Sequence, residues 1–380
     1  MTIRRSWQSF DILMLLLVCG FALFGTFMIS SGEAHMVAAH KTVEGLAKSH
    51  RFYFATGIVV LAVATLVDYH FIAKFWVPIY AVMIVMLIIC AFILKPDETK
   101  TTRWIYIGPI SIQPSEFAKL MLIISLSQFL DKYQEKINKI GYLAAALALV
   151  AIPVVLVELQ PALSASLVLA VIGLTMIFCA KIYFRYIIIA AMTLLIGAGV
   201  FVWDWQVNDK KVLSGLLNPY HVERIAEYLE PPAKESGAPP DQTEMSLTVV
   251  RAGLLNGKGY MNGTFVPYQT NDFIFATLAE EFGFTGCAAA LVAIFLIVMK
   301  CLLTAGRAPD LMGSLIASGV AGMLAFQVFV NVGVVTAIIP NTGMPFPFLS
   351  SGGSALWINL AAIGLVLNVG LYKTKSIFEG

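Results

Sequence analysis

Long apolar runs, separated by short polar connections, constrain this chain more than any other feature of its sequence. Hydrophobic residues make up 59% of the 380 positions and charged residues only 13%, whereas soluble domains carry about 25% charged residues. A helix of about 20 apolar residues crosses the hydrocarbon core of a bilayer, and helix formation satisfies every backbone polar group within the segment. The sequence therefore predicts an all-α polytopic membrane protein with about ten transmembrane helices, near residues 10–30, 51–69, 73–94, 114–130, 141–157, 160–180, 183–203, 273–303, 310–339 and 350–371.

One long polar insertion, residues 204–272, separates the seventh predicted helix from the eighth. The other connections are short, so residues 1–380 are predicted to form a single membrane domain that carries this loop. The helices near 273–303 and 310–339 are longer than the hydrocarbon core requires. We therefore expect each of them to be tilted, kinked or extended beyond the bilayer.

Lys and Arg are more frequent in the short connections that share a side with the N-terminus than in those on the other side. Connections rich in these residues usually face the cytoplasm. The prediction is a multi-pass protein of the cell membrane with both termini in the cytoplasm and the 204–272 loop outside. A net charge of +2 gives no support for nucleic-acid binding. The histidines and cysteines are scattered along the sequence, so no metal-site motif is visible.

Asp272 is the strongest candidate for a catalytic residue, because it lies where the long polar loop enters an apolar helix. A carboxylate at a membrane boundary is costly to desolvate and often functional. The alternative is a structural cap at the helix N-terminus. Both roles are compatible, since partial desolvation would raise the pKa of a general base from about 3.9 towards neutrality. Glu280 and Glu281 lie more than two turns further along, so we expect a structural or substrate-path role for them.

Glu116 and Lys119 lie three residues apart on one predicted helix, a spacing at which their side chains can form an ion pair. A buried pair of this kind neutralises its own charge. The sequence leaves two interpretations open: an internal structural pair, or the wall of a polar cavity that takes part in substrate binding.

Several basic residues in the predicted external segments are candidates for binding phosphate. Arg103 stands beside Trp104, and an arginine with an aromatic neighbour suits a pyrophosphate and a sugar ring. Solvated surface is the alternative for each base. The other candidates lie in the long loop: Arg224, Arg251 and Lys258.

The segment from Pro340 to Gly353 combines prolines, glycines and serines at the edge of a predicted helix. Irregular backbone at membrane depth is tolerated only against protein or a watery cavity. A re-entrant or broken-helix element fits this composition, with a simple external loop as the alternative. Ser350 and Ser351 in this segment are further candidates for substrate binding.

Three motifs together resemble the shape, elongation, division and sporulation (SEDS) family: QPSEFAK at 113–119, DFIFATLAEEFG at 272–283 and PNTGMPFPFLSSGGSAL at 340–356. The resemblance extends over essentially the whole chain. It implies a peptidoglycan glycosyltransferase of the bacterial plasma membrane that polymerises lipid II with inversion through β-1,4 bonds and releases undecaprenyl pyrophosphate. A class B penicillin-binding protein would supply the transpeptidase. The motifs place the family's essential aspartate at Asp272, its motif tryptophan at Trp104, and its intramembrane acid–base pair at Glu116 and Lys119.

The resemblance has departures and leaves alternatives. Ala162 stands where the family usually has an acid, so any role of that acid cannot apply here. No cofactor is certain, although a divalent cation such as Mg²⁺ or Mn²⁺ could stabilise the leaving pyrophosphate in place of, or beside, an arginine. A role in elongation and cell shape is favoured over division or sporulation. A lipid II flippase and a non-catalytic scaffold remain as the competing functions.

Overall fold

The computed structural model describes residues 3–40, 45–93, 103–107, 110–207 and 242–374, with single positions at 215, 222, 226 and 229. Helices dominate these residues. Ten are long, and two more are short: α3 and α9. In chain order the helices are α1 (Ile12–Ala38), α2 (Leu46–Leu66), α3 (Tyr69–Ala73), α4 (Trp76–Ile88), α5 (Pro114–Lys132), α6 (Ile140–Glu158), α7 (Leu163–Cys179), α8 (Phe184–Gln206), α9 (Gln242–Ala252), α10 (Ile274–Arg307), α11 (Leu311–Val335) and α12 (Gly353–Gly370).

The ten long helices correspond one by one to the ten predicted spans. In the described part of the chain, eight helices are long and apolar enough to cross a membrane, counting the π-helical turn Ile89–Ile93 that extends α4. Helix α7 is apolar but somewhat shorter, and α5 carries the buried polar pair Glu116 and Lys119. The predicted all-α polytopic membrane fold is therefore confirmed.

Two short pairs of antiparallel strands mark opposite ends of the helix bundle. Strand β1 (Ile3–Arg5) pairs antiparallel with β4 (Tyr372–Thr374), which brings the two termini together at what we call the termini end. Strands β2 (Ile105–Ile107) and β3 (Ile110–Ile112) pair just before α5, at the opposite end. Asp272 lies two residues before the start of α10 at this opposite end, which we call the Asp272 end. Which end faces the cytoplasm stays a prediction.

Helices α11 and α12 form the centre of the bundle, because most of their residues are buried by neighbouring helices. Helix α12 packs along α2, and α11 packs against α10, α7 and α5. Helix α8 lies at the other extreme, since its apolar span is left exposed by the other described residues. The C-terminal part of α11 reaches the Asp272 end, where Asn331 contacts the backbone of Asp272.

The 204–272 insertion is described only in part. Its C-terminal portion forms α9 and an irregular segment that leads into α10. Arg224 and the proline-rich stretch at 231–241 lie outside the described residues. The expectation that α10 is kinked is confirmed, since Gly283 has a non-helical backbone (φ 65°, ψ −164°) within its length.

Candidate active site

The loop after α9 is hydrogen-bonded to α10 at the break around Gly283. The amides of Phe284 and Thr285 donate to the carbonyls of Leu254 and Leu255, at 2.9 and 3.1 Å. In return, the carbonyls of Glu280 and Glu281 accept 2.9 Å bonds from the backbone amides of Lys258 and Gly259. A helix break leaves such groups without intrahelical partners. The loop satisfies them, so the 253–259 segment and the α10 break behave as one unit.

The acidic pair Glu280 and Glu281 is nearly fully buried and serves this same junction. Glu280 accepts hydrogen bonds from Lys258 Nζ at 2.5 Å and from the Thr264 amide at 2.7 Å. Glu281 accepts from the hydroxyl of Ser31 on α1, and its Oε1 lies 3.3 Å from His35 Nε2. Of the two expected roles, structural or along a substrate path, these contacts favour the structural one. Lys258, a predicted phosphate ligand, is held in an ion pair with Glu280.

Asp272 stands at the start of α10 with its side chain crowded by protein. A Cβ built on Gly343 would lie 3.3 Å from Asp272 Oδ2, so the 340–346 segment passes directly over the carboxylate. Burial raises the pKa of Asp272 to about 6, and the positive charge of Arg103 acts in the opposite direction. A carboxylate with this pKa is largely ionised at neutral pH yet basic enough to accept a proton in a reaction.

The backbone around Asp272 is held by buried side chains from two other parts of the chain. Ser350 Oγ donates to the Asn271 carbonyl at 2.6 Å, and Ser351 Oγ donates to the Asn271 side chain. From α11, Asn331 Nδ2 donates to the Asp272 carbonyl at 2.8 Å. Ser350 and Ser351 therefore lie at the predicted site, where their hydroxyls contact the chain that carries Asp272.

Arg103 also lies at the site, where its guanidinium contacts the turn between α6 and α7. Its Nε donates to the Gln160 carbonyl at 3.3 Å, and its Nη2 donates to the Pro161 carbonyl. The same turn touches the segment over Asp272, since Ser164 Oγ donates to the Gly343 carbonyl at 3.5 Å. Trp104 follows, partly buried, at the start of the β2–β3 hairpin.

Glu116 and Lys119 form the predicted ion pair within the first turns of α5, with Lys119 Nζ 2.6 Å from Glu116 Oε2. Both side chains are almost completely buried. Two opposite charges this close need no further charged partner. The pair lies at the Asp272 end of the bundle, but the structure shows no contact between it and Asp272.

Of the remaining candidates, Arg251 is exposed on α9, and Arg224 lies outside the described residues. For a metal, the described chain contains no group of three His, Cys, Asp or Glu side chains that could hold an ion.

Three residues that shape the site were not predicted from the sequence: Asn271, Asn331 and Gly343. Asn331 was recognisable in principle, because it is an isolated amide within a long apolar helix, and polar side chains inside membrane helices are commonly functional. Gly343 and Asn271 gave no local signal that separates them from the neighbouring loop residues.

Comparison with known proteins gives consistent matches over nearly the whole chain. The family model for FtsW, RodA and SpoVE, described as cell cycle proteins, matches residues 11–375. Stage V sporulation protein E of Bacillus subtilis (strain 168) is 33% identical over 98% of this chain and 100% of its own length. Peptidoglycan glycosyltransferase MrdB of Escherichia coli (strain K12) is 30% identical over 84% of each chain. A chain in a solved peptidoglycan synthase complex that coordinates polymerization and crosslinking matches with a TM-score of 0.77 and 25% identity, covering 96% of this chain and 98% of that one.

Proposed function

The chain belongs to the FtsW, RodA and SpoVE family of cell cycle proteins, and we propose that it is a peptidoglycan glycosyltransferase that polymerises lipid II. The relative MrdB is named for the glycosyltransferase activity. The observation that carries the proposal is the environment of Asp272. Burial raises the pKa of its carboxyl, and hydrogen bonds from Asn331 and Ser350 fix the backbone on both sides of it. The residue lies at the end of the bundle where the long insertion begins and ends.

The proposed reaction needs one proton acceptor and one stable leaving group. The acceptor sugar hydroxyl gives its proton to the Asp272 carboxylate while its oxygen bonds to the anomeric carbon of the donor, with inversion. The bond from that carbon to the pyrophosphate oxygen breaks, and undecaprenyl pyrophosphate leaves with the bonding electrons. Arg103 is the described cation that acts on Asp272, so we assign it to the developing negative charge near the leaving group.

Membrane orientation and partner follow as narrower proposals. We place the Asp272 end outside the cytoplasm, in agreement with the distribution of Lys and Arg in the connections. A class B penicillin-binding protein would be the crosslinking partner, which the match to a chain of a peptidoglycan synthase complex supports. An elongation role, favoured by the PFPFLSSGG sequence at 345–353, is the proposed subtype.

A divalent cation is proposed only as a partner of the leaving pyrophosphate, whose oxygens would coordinate it together with water. Asp272 is not assigned as its ligand, because the carboxylate has to stay free to accept the proton. Activity measured over a range of Mg²⁺ and Mn²⁺ concentrations, with chelator as the zero point, tests this. Unchanged activity in chelator would mean that arginine stabilises the negative charge of the leaving group without a cation.

The test of the function is reconstitution of the purified protein with fluorescent lipid II, with and without its transpeptidase partner. We expect glycan ladders from the wild type, and none from Asp272→Ala or Asp272→Asn. Glu244→Gln removes an exposed carboxylate at the same end of the bundle and should leave the ladders intact. Because Asp272 must be ionised to accept a proton, the rate should rise with pH through about 6 and level off above it.

Two outcomes would contradict this assignment. Ladders from both Asp272 variants would remove that residue from the mechanism. No ladders from the wild type, even with the partner present, would favour the flippase or scaffold functions.

A further inference from the structure

The peptide carbonyls on both sides of Asp272 accept hydrogen bonds from side chains that are themselves buried. Asn331 is fully buried and Ser350 is 6% exposed. Asn331 holds the Asp272 carbonyl at 2.8 Å, and Ser350 holds the Asn271 carbonyl at 2.6 Å. These two bonds come from α11 and from the segment before α12, so two separate elements fix one short stretch of backbone.

Each of these two side chains forms a second hydrogen bond, in both cases with the backbone of residues 344–346. The Asn331 amide nitrogen also donates to the Met344 carbonyl at 2.6 Å. Ser350 Oγ accepts a 2.7 Å bond from the Phe346 amide. Neither side chain can therefore rotate away without breaking two hydrogen bonds and leaving buried polar groups unpaired.

The carboxylate of Asp272 itself is held differently. Among the described residues, no side chain or backbone amide donates a hydrogen bond to it. The backbone at Gly343 lies against it. The positive charge of Arg103 lowers the pKa of this carboxyl. The direction in which the carboxylate points is consequently set by the backbone from which it projects.

We propose that Asn331 and Ser350 are positioning residues that aim the Asp272 carboxylate by holding the carbonyls on either side of it. The inference rests on the proposed function of Asp272 as the general base. General-base catalysis depends on placing the base within hydrogen-bonding distance of the proton it removes. A displacement of about 1 Å can reduce the rate about 10²-fold. Loss of either hydrogen bond to the backbone should therefore lower kcat much more than it raises KM.

The experiment compares Asn331→Leu, Ser350→Ala and the double variant in the lipid II polymerisation assay. Gln327→Leu is the matched control: Gln327 lies one turn from Asn331 on α11, is 2% exposed and has an unpartnered Oε1. We expect kcat to fall about 10²-fold for Asn331→Leu and about tenfold for Ser350→Ala, with KM within about threefold of the wild type. Ser350→Thr keeps the hydroxyl and should recover most of the lost rate.

A pH–rate profile separates positioning from a simple loss of folded protein. A loosened backbone lets more water reach the half-buried carboxylate, so the acidic limb should move to lower pH than in the wild type. A smaller folded fraction would scale the whole profile without moving this limb. The double variant should lose less than the product of the single losses, because both residues hold the same stretch of chain.

The inference is overturned if folded Asn331→Leu and Ser350→Ala keep the wild-type kcat and acidic limb. It is also overturned if both lose activity with the limb unmoved, since that pattern shows a structural role only. Failure of the proposed function would look different, because the wild type itself would then make no ladders.

Discussion

Asp272 is half-buried, and no residue in the described part of the chain donates a hydrogen bond to its carboxylate. Gly343, which has a positive φ of 69° and no side chain, lies against this carboxylate. The adjacent Asn341 side chain accepts a 3.2 Å bond from the Gly343 amide and helps to fix this turn. At the scale of single residues, a glycine thus determines how tightly the carboxylate is enclosed.

We predict that Gly343→Ala lowers polymerisation about tenfold to a hundredfold. The new methyl group would press on Asp272 Oδ2 at 3.3 Å and would require a left-handed backbone, which costs an L-residue about 1–2 kcal/mol. Gly352→Ala is the matched control in the same segment, because its φ is 172° and the nearest atom to a new Cβ is 3.5 Å away. Equal activity of the two variants would show that enclosure of the carboxylate does not matter.

The sequence located Asp272 but not the residues that hold it. A carboxylate placed just before an apolar run is a local pattern, so position alone indicated the site. Asn331 is 59 residues away from Asp272 along the chain, and such a contact depends on how α10 and α11 pack. Likewise, Ser350 and Ser351 were predicted to bind substrate from their composition, whereas their contact with Asn271 appears only in the fold.

At the scale of elements, the junction between the 253–259 loop and α10 depends on close backbone contact. A Cβ on Gly257 would lie 2.2 Å from the Glu281 carbonyl oxygen, and Gly257 also has a positive φ of 77°. Glycines allow close backbone approach, but the sequence does not indicate that this stretch packs on the α10 break. Hydrogen bonds between two backbones leave no pattern in the side chains.

We predict that Gly257→Ala opens this junction. The substitution should destabilise the protein by about 1–3 kcal/mol through strained backbone alone, and the overlap with Glu281 adds to this cost. Hydrogen exchange should increase at the amides of residues 258, 259, 284 and 285, which form the exchanged bonds. Gly306→Ala, in the open at the other end of α10, is the control and should change neither quantity. Unaltered exchange in Gly257→Ala would mean that the loop and the helix break are independent.

At the scale of the whole molecule, the termini end is closed by a polar network that joins distant parts of the chain. His70, on α3, lies 2.8 Å from Asp68 and 2.7 Å from Asp310, which caps α11. Tyr69 stacks on the His70 ring and donates to Asp310, while Tyr372 of β4 meets the ring edge. The short connections at this end were predicted, but their joining through one histidine was not, because the partners lie up to 240 residues apart.

This network makes stability at the termini end depend on pH. The hydrogen bond to Asp310 raises the pKa of His70 above its ordinary value of 6.5, and burial opposes the rise. A raised pKa means that the folded protein holds the proton more tightly than the unfolded chain. The stabilisation is therefore complete below about pH 6.5 and is lost as the pH rises through the higher pKa of the folded protein.

We predict that His70→Gln lowers the unfolding temperature most at pH 6, with a loss of about 1–2 kcal/mol from the charge-assisted bonds. The difference from the wild type should shrink towards pH 8.5, because neutral His70 then binds the carboxylates more weakly. Thermal unfolding in detergent across this range measures it. His40→Asn is the control, since His40 forms no ion pair with any other described residue and its positive φ of 55° suits asparagine. A constant difference across the pH range would show that His70 packs at this end without bearing a charge.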